Sequence, residues 1–239
     1  QFDGVDQADA DQDVVVVSDT AALDLNTFSV AAWVRPSARG GQQTIIEKAA
    51  YDLSRLDLVT NYDLYLTGDL KPMIKFTQGG DNDSWQTVQA QGSTPLVMNA
   101  WNYVVGVYDG DHLRVYANGY ERGAVADRIS YWAPDVNDAP VEIGNSSYKI
   151  HEGYVYPEWG HDEFAGRIDE VAIYNRALTA AEIHATFLAQ GSWVEDRQRQ
   201  NVTVDADAPT SALYPPTTYW PNLSGQLLAF ASDPTSGIA

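Results

Sequence analysis

The sequence predicts an all-β protein, a sandwich or barrel of short antiparallel strands. Three observations carry this. Apolar residues alternate with a period near two in segment after segment. Turn dipeptides separate those segments. Only one stretch has a helical pattern.

The elements follow in chain order. In "FSVAAWV" (28–34), Phe28, Val30, Ala32 and Val34 fall on one face. "YDLYLT" (62–67) places Tyr62, Leu64 and Leu66 in the same way. "PMIKFT", "SWQTVQ" and "PVEIG" are further short strands. The segment "WNYVVGVYDGDHLRVYANGYERGAV" (101–125) holds Asp109-Gly110 and Asn118-Gly119, dipeptides that tolerate positive φ, so it divides into three antiparallel strands. Val104, Val105 and Val107 occupy both faces of the first, which predicts a central strand covered on both sides. In "EFAGRIDEVAIYNRALTAAEI" (163–183) a strand pattern carries a charged pair, Asp169 and Glu170, where burial is expected. It runs into the one helix, "LTAAEIHATFLAQG". There Thr179 is the N-cap and Glu182 stands at N3, a capping box, while Leu178 and Ile183 are spaced as a hydrophobic staple. Gly191 is the expected C-terminal stop.

Composition narrows the function. The chain has 239 residues and a formal net charge of -19. So acidic a surface argues against a nucleic-acid partner, because phosphate binding needs basic residues. It suits a highly soluble surface or carboxylates kept for divalent cations. The absence of cysteine excludes disulfides, thiolate metal sites and cysteine nucleophiles. No apolar run approaches the roughly 18 residues of a membrane span, so no membrane insertion is expected. The chain begins at Gln1 with neither Met nor a signal peptide and reads as a processed chain or a fragment.

Three blocks, "FDGVDQ…DVVVVSDTAALDLNTFSVAAWVRP", "WNYVVGVYDGDHLRVYANG" and "FAGRIDEVAIYNRALTAAEI", together resemble the LamG-like, concanavalin A-like domains of bacterial extracellular multidomain proteins. The resemblance spans about residues 1–191. It implies a two-sheet antiparallel jelly-roll sandwich with one short C-terminal helix. It also implies a non-catalytic binding or adhesion module at the cell surface or outside the cell, with carbohydrate or a surface glycan as partner. Residues 192–208 read as a linker. Residues 209–239 more weakly resemble the opening strands of a bacterial immunoglobulin-like domain, an extended β tail with one good strand at 226–231. That tail reads as the opening of a further β-domain cut short; the alternative is that it pairs with other domains or with copies of the same chain.

The resemblance further implies a structural calcium ion. In the family the "FDG" strand lies near the last strand, and an Asp of the "IDEV" block often helps to hold Ca²⁺. Carried over, this gives Asp3 and Asp169, completed by backbone carbonyls, with Asp6 from the expanded acidic run as a further ligand. Calcium takes six to eight oxygens, so the donor types suit it. The alternative is that Asp169 pairs with Arg167 or Arg176 or accepts backbone N–H bonds. Asp9 and Asp11 read as a solvated loop. The D-x-D-x-D spacing is not an EF-hand, because Val14 and Thr20 stand where Gly and Glu are required.

Two loops are candidate ligand sites. The segment 145–163 is long for a connection and carries Tyr154, Tyr156 and Trp159 with Asn145 at its start. Aromatic faces stack on sugar rings, and amides and carboxylates bind sugar hydroxyls. Self-packing of the aromatics is the competing reading. "TQGGDNDSW" (77–85) places Asp83 beside Trp85, as a simple turn or as a ligand-facing loop. After "VEIG" stand Asn145, Ser146 and Ser147, which departs from the acidic run of pentraxins, and Asn61 and Asp63 are too isolated to restore it. No E-x-D-x-x-E, G-x-S-x-G or H-E-x-x-H motif occurs, so no catalytic residue is assigned. A structural subunit of a surface layer, stalk or filament is the reading from a different class.

Overall fold

The structure is a computed structural model that describes residues 2–3, 13–52, 57–79, 86–126, 133–146, 149–151, 154–156 and 162–199. Its strands are β1 (Phe2–Asp3), β2 (Val15–Val17), β3 (Phe28–Pro36), β4 (Gln43–Asp52), β5 (Asp57–Leu66), β6 (Pro72–Gln78) and β7 (Gln86–Gln91). They continue as β8 (Asn102–Tyr108), β9 (His112–Ala117), β10 (Tyr120–Ala126), β11 (Val141–Ile143), β12 (Lys149–His151), β13 (Tyr154–Tyr156) and β14 (Ala165–Tyr174). One helix follows, α1 (Ala180–Arg199).

Two antiparallel sheets make the sandwich expected from the sequence. Sheet I has the order β1-β14-β3-β8-β9-β10, and sheet II has the order β2-β11-β4-β5-β6-β7. The period-two pattern sorts the residues as anticipated. Phe28, Val30, Ala32 and Val34 of β3 join Tyr62, Leu64 and Leu66 of β5 in the core between the sheets. Phe28, Phe76 and Tyr108 pack edge-on and tilted there, with ring centroids 4.5–6.2 Å apart. The sheets approach so closely at Gly106 that a Cβ would lie 2.6 Å from the Ile74 side chain, so a glycine is required.

The valine-rich β8 is central, between β3 and β9, and buried throughout. Val104 faces the core, while Val105 and Val107 face a second apolar cluster on the outer side of sheet I. The helix covers that outer side. Phe187 stacks on Trp33 at 5.8 Å, and the Trp33 indole N–H donates to Gln190 Oε1 at 2.8 Å. The turn residues behave as their chemistry demands, with Gly110 at φ 95°, Asn118 at 52° and Gly119 at 79°.

The helix start is the capping box read from the sequence. Thr179 N–H donates to Glu182 Oε2 at 2.7 Å, and Glu182 N–H donates to Thr179 Oγ1 at 3.2 Å. Leu178 and Ile183 are both buried in the outer cluster, as a staple requires. The expected stop at Gly191 is corrected. The helix runs on to Arg199, and Gly191 is not among the glycines with positive φ. A Cβ there would meet the Trp33 ring at 3.6 Å, an ordinary contact, so neither a turn nor close packing demands the glycine. Residues 192–199 are therefore helical. The tail from 200 onward lies outside the described residues.

The long connection 145–163 also differs from a simple loop. It contains a hairpin, with Lys149 opposite Tyr156 and His151 opposite Tyr154.

Candidate functional site

Of the two outward sheet surfaces, sheet I's is occupied by α1. The outward surface of sheet II is built in rows by strand register. Glu142, Glu47, Asp63, Lys75 and Gln89 stand side by side across β11, β4, β5, β6 and β7. The next row holds Thr44, Tyr65, Met73 and Gln91. A third pairs Thr77 with Thr87. The neighbouring positions Ile46, Leu64, Ile74 and Ala90 face the core, so period two puts these polar residues on the opposite surface.

The centre of the first row is a buried charge cluster. Glu47 is 3% exposed and Asp63 is 0% exposed. Lys75 Nζ lies 3.0 Å from Asp63 Oδ2 and 5.2 Å from the centre of the Tyr65 ring. The Tyr65 hydroxyl donates to Met73 Sδ at 2.8 Å. Asp63 Oδ1 has no hydrogen-bond partner among the described residues. Burial, then repulsion from Asp63, pushes the Glu47 carboxyl well above the usual carboxylate range. Burial also raises Asp63, with Lys75 opposing it. For Lys75 burial favours the neutral amine, but Asp63, Tyr65 and Glu47 outweigh it and the ammonium is held. Toward the β7 edge the surface opens, and Thr87, Gln89 and Gln91 are exposed while Val88 and Ala90 are buried. This surface therefore offers amide and hydroxyl hydrogen-bonding groups beside a fixed ion pair.

A second polar cluster is structural. Lys48 is fully buried, and its ammonium is held by Asp19 Oδ1 at 2.6 Å, Asn137 O at 2.7 Å, Ala139 O at 2.8 Å and Asp24 Oδ1 at 3.3 Å. Asn61 donates to Leu25 O and Asp135 O and accepts from Leu25 N–H. Together these side chains fasten the connections before β3 and before β11 onto β4 and β5.

Of the residues expected to hold calcium, Asp3 lies on β1 and Asp169 on β14. The strands do meet, since β1 pairs with β14. The register puts Asp3 opposite Ala165, four residues from Asp169. At about 3.3 Å per residue that is roughly 13 Å along the sheet, whereas oxygens on one Ca²⁺ lie within about 2.6 Å of it. The Asp3 side chain lies outside the described residues, so the register gives only the spacing of the two backbone positions. Among the described residues no group of three or more His, Asp or Glu is placed to hold a metal. Asp6 lies outside the described residues.

The charged pair has another explanation. The β14 ladder shifts register between Asp169 and Ala172, and Glu170 takes φ 50°. Asp169 Oδ1 accepts the Glu170 N–H at 2.9 Å. Asp169 is half-buried and Glu170 exposed, so the two mark a β-bulge where polar side chains reach solvent. Arg176 is engaged elsewhere, in a two-pronged contact with Glu182.

The loop candidates fare differently. Asn145 is 1% exposed and accepts the Ser146 N–H at 2.7 Å, so it is a buried loop brace and not part of a solvent-facing rim. Tyr154 and Tyr156 lie on β13, which packs near β5, but their side chains are outside the described residues. Asp83, Trp85 and Trp159 also lie outside them. Sequence reasoning missed Glu47 and Lys75. The signal that finds them is a charge on β4 and on β6, both flanked by core residues, in register with Asp63.

Comparison with known proteins agrees with this architecture. The family profile of the concanavalin A-like lectin/glucanases superfamily (Laminin_G_3) matches residues 9–184, and the chain belongs to that family. The CBM40 of the Ruminococcus gnavus IT-sialidase is similar in fold at 15% identity and TM-score 0.53, covering 70% of this chain and 85% of its own. The same CBM40 bound to alpha2,3 sialyllactose matches at 16% identity and TM-score 0.51, with coverages of 70% and 85%. The binding domain of Paraclostridial Mosquitocidal Protein 1 matches at 14% identity and TM-score 0.52, over 80% of this chain and 45% of that one. No curated protein matches the sequence. Among the described residues no helix is long and apolar enough to cross a membrane.

Proposed function

We propose that this chain is a non-catalytic carbohydrate-binding module of an extracellular protein, and that the outward surface of sheet II holds the glycan. The observation that carries the reading is the exposed Thr87–Gln89–Gln91 strip beside the Lys75–Asp63 pair. Amides and hydroxyls arranged on a rigid sheet can meet sugar hydroxyls without ordering a loop. Membership of a superfamily of lectins and glucanases supports a sugar ligand. The fold is shared with a CBM40 at 15% identity.

The test is titration of a glycan panel into the wild-type chain and a Gln89→Ala/Gln91→Ala variant. The variant should lose at least about tenfold in affinity, roughly 1.4 kcal/mol, with its melting temperature kept. Unchanged binding in the variant would move the ligand off this surface.

A subunit of a surface assembly is a second reading, favoured by one observation. Val15, Val16 and Val17 form an edge strand and are 51%, 55% and 42% exposed. Unpaired apolar edges pair readily with another chain. Light scattering across concentration decides: this reading requires association that Val16→Lys abolishes.

A further inference from the structure

Resting on the carbohydrate reading, we infer that this surface selects glycans without acidic groups and rejects sialylated, sulfated or uronate-bearing ones. The argument begins with the charges in the central row. It carries the carboxylates of Glu142 and Asp63, the buried Glu47 carboxyl, which favours its protonated form, and one ammonium, Lys75. No arginine stands in the three rows described. An acidic sugar needs a cation with free hydrogen-bonding capacity, most often a guanidinium that grips a carboxylate or sulfate with two bonds. Lys75 is unsuited to that task. Its Nζ is 3.0 Å from Asp63 Oδ2 and lies against the Tyr65 ring, with only 15% of the side chain exposed.

The surroundings act in the same direction. Asp63 Oδ1 is buried and has no hydrogen-bond partner among the described residues, so its charge is little screened by solvent. A second anion brought over this cluster would be repelled at short range, where salt screens poorly. The whole chain carries a net charge of -19, which slows the approach of any polyanion. Hydroxyl groups meet no such barrier, and Gln89 and Gln91 supply both donors and acceptors for them. Asp63 is then a specificity-determining residue: it neutralises the ammonium that an acidic sugar would use.

The experiment uses an array of neutral gluco-, galacto- and manno-configured oligosaccharides, each printed beside a sialylated, sulfated or uronate-bearing counterpart. The wild-type chain should bind one or more neutral members and bind their acidic counterparts at least about tenfold more weakly. Asp63→Asn, with its fold checked by circular dichroism, should narrow that gap by releasing Lys75. Gln89→Lys changes the charge of the same row at an exposed position and leaves the buried pair intact. It should raise acidic-counterpart binding at least about threefold relative to the neutral member, as an added cation within a Debye length requires. Acidic members bound as well as neutral ones would overturn the inference. So would a Gln89→Lys ratio equal to the wild-type ratio. Blank spots for both members of every pair would overturn the carbohydrate reading itself, a result distinct from either of these.

Discussion

Arg176 grips Glu182 with both ends of its guanidinium, Nη2 to Oε1 at 2.9 Å and Nη1 to Oε2 at 3.2 Å. The same carboxylate accepts the Thr179 N–H, so one side chain joins the end of β14 to the first turn of α1. These bonds, Arg176 foremost, hold the Glu182 carboxyl down at about 2. A depressed folded-state pKa stabilises the fold above the unfolded value of about 4.3. That stabilisation is lost as pH falls through about 2.

Glu182→Ala should therefore cost about 1–2 kcal/mol at neutral pH, the range for a lost cap. The difference from wild type in urea midpoint should shrink as the pH is lowered from about 4.3 toward 2. An undiminished difference at the acid end would mean that the carboxylate's charge is irrelevant to the cap.

Lys48 is the second target. Its removal leaves Asp19 and Asp24 facing each other without a cation, and two backbone carbonyls without a donor. Breaking a buried pair costs about 3–5 kcal/mol, and less where one partner is partly solvated. Asp19 keeps 27% side-chain exposure, so Lys48→Met should destabilise by about 2–3 kcal/mol in denaturant titration. A loss within about 0.5 kcal/mol, the ordinary effect of a surface change, would remove Lys48 from the framework.

Glu47 predicts the opposite pH trend to Glu182. Burial and Asp63 raise its folded pKa, so the folded state retains a proton that the unfolded chain releases. Stability attributable to this group falls as pH rises from about 4.3 toward the raised folded value. Glu47→Gln should melt close to wild type near pH 4 and gain on it by pH 8. A variant that loses ground to wild type as the pH rises would show that the ionised carboxylate is wanted in the row.

Calcium provides a fourth check. The register separates Asp3 from Asp169 by four residue positions along β14. Any rise in melting temperature produced by millimolar Ca²⁺ should survive Asp169→Ala unchanged. Loss of the rise in that variant alone would restore Asp169 as a ligand.

The fold was legible because its strands obey simple periodicity. Phe28 to Val34 alternate cleanly, and the Asp109-Gly110 and Asn118-Gly119 turns announce the meander of β8 to β10. The helix start was legible because Thr179 and Glu182 interact within one turn. The site was not, because its members come from different strands. Glu47 and Asp63 are 16 positions apart, and Asp63 and Lys75 are 12 apart. Read along the chain, Asp63 looks solitary. Only the register makes the row. The β4 sequence "TIIEKAAY" conceals the pattern further: the adjacent Glu47 and Lys48 face opposite sides of the sheet, and register shifts between Thr44 and Ile46 and between Lys48 and Ala49 interrupt the alternation around them. The helix end was not legible because a glycine late in a helical pattern reads as a stop, whereas Gly191 keeps helical backbone and the helix runs on to Arg199.

Lys48 does the work that a bound ion does in many loop-braced domains, drawing two carboxylates and two carbonyls around one positive centre. Here the positive centre is covalently part of the chain. It cannot be washed out, exchanged for a competing ion or stripped by a chelator. Its occupancy does not depend on the composition of the medium. That end of the sandwich should keep its shape in surroundings where the supply of divalent ions rises and falls.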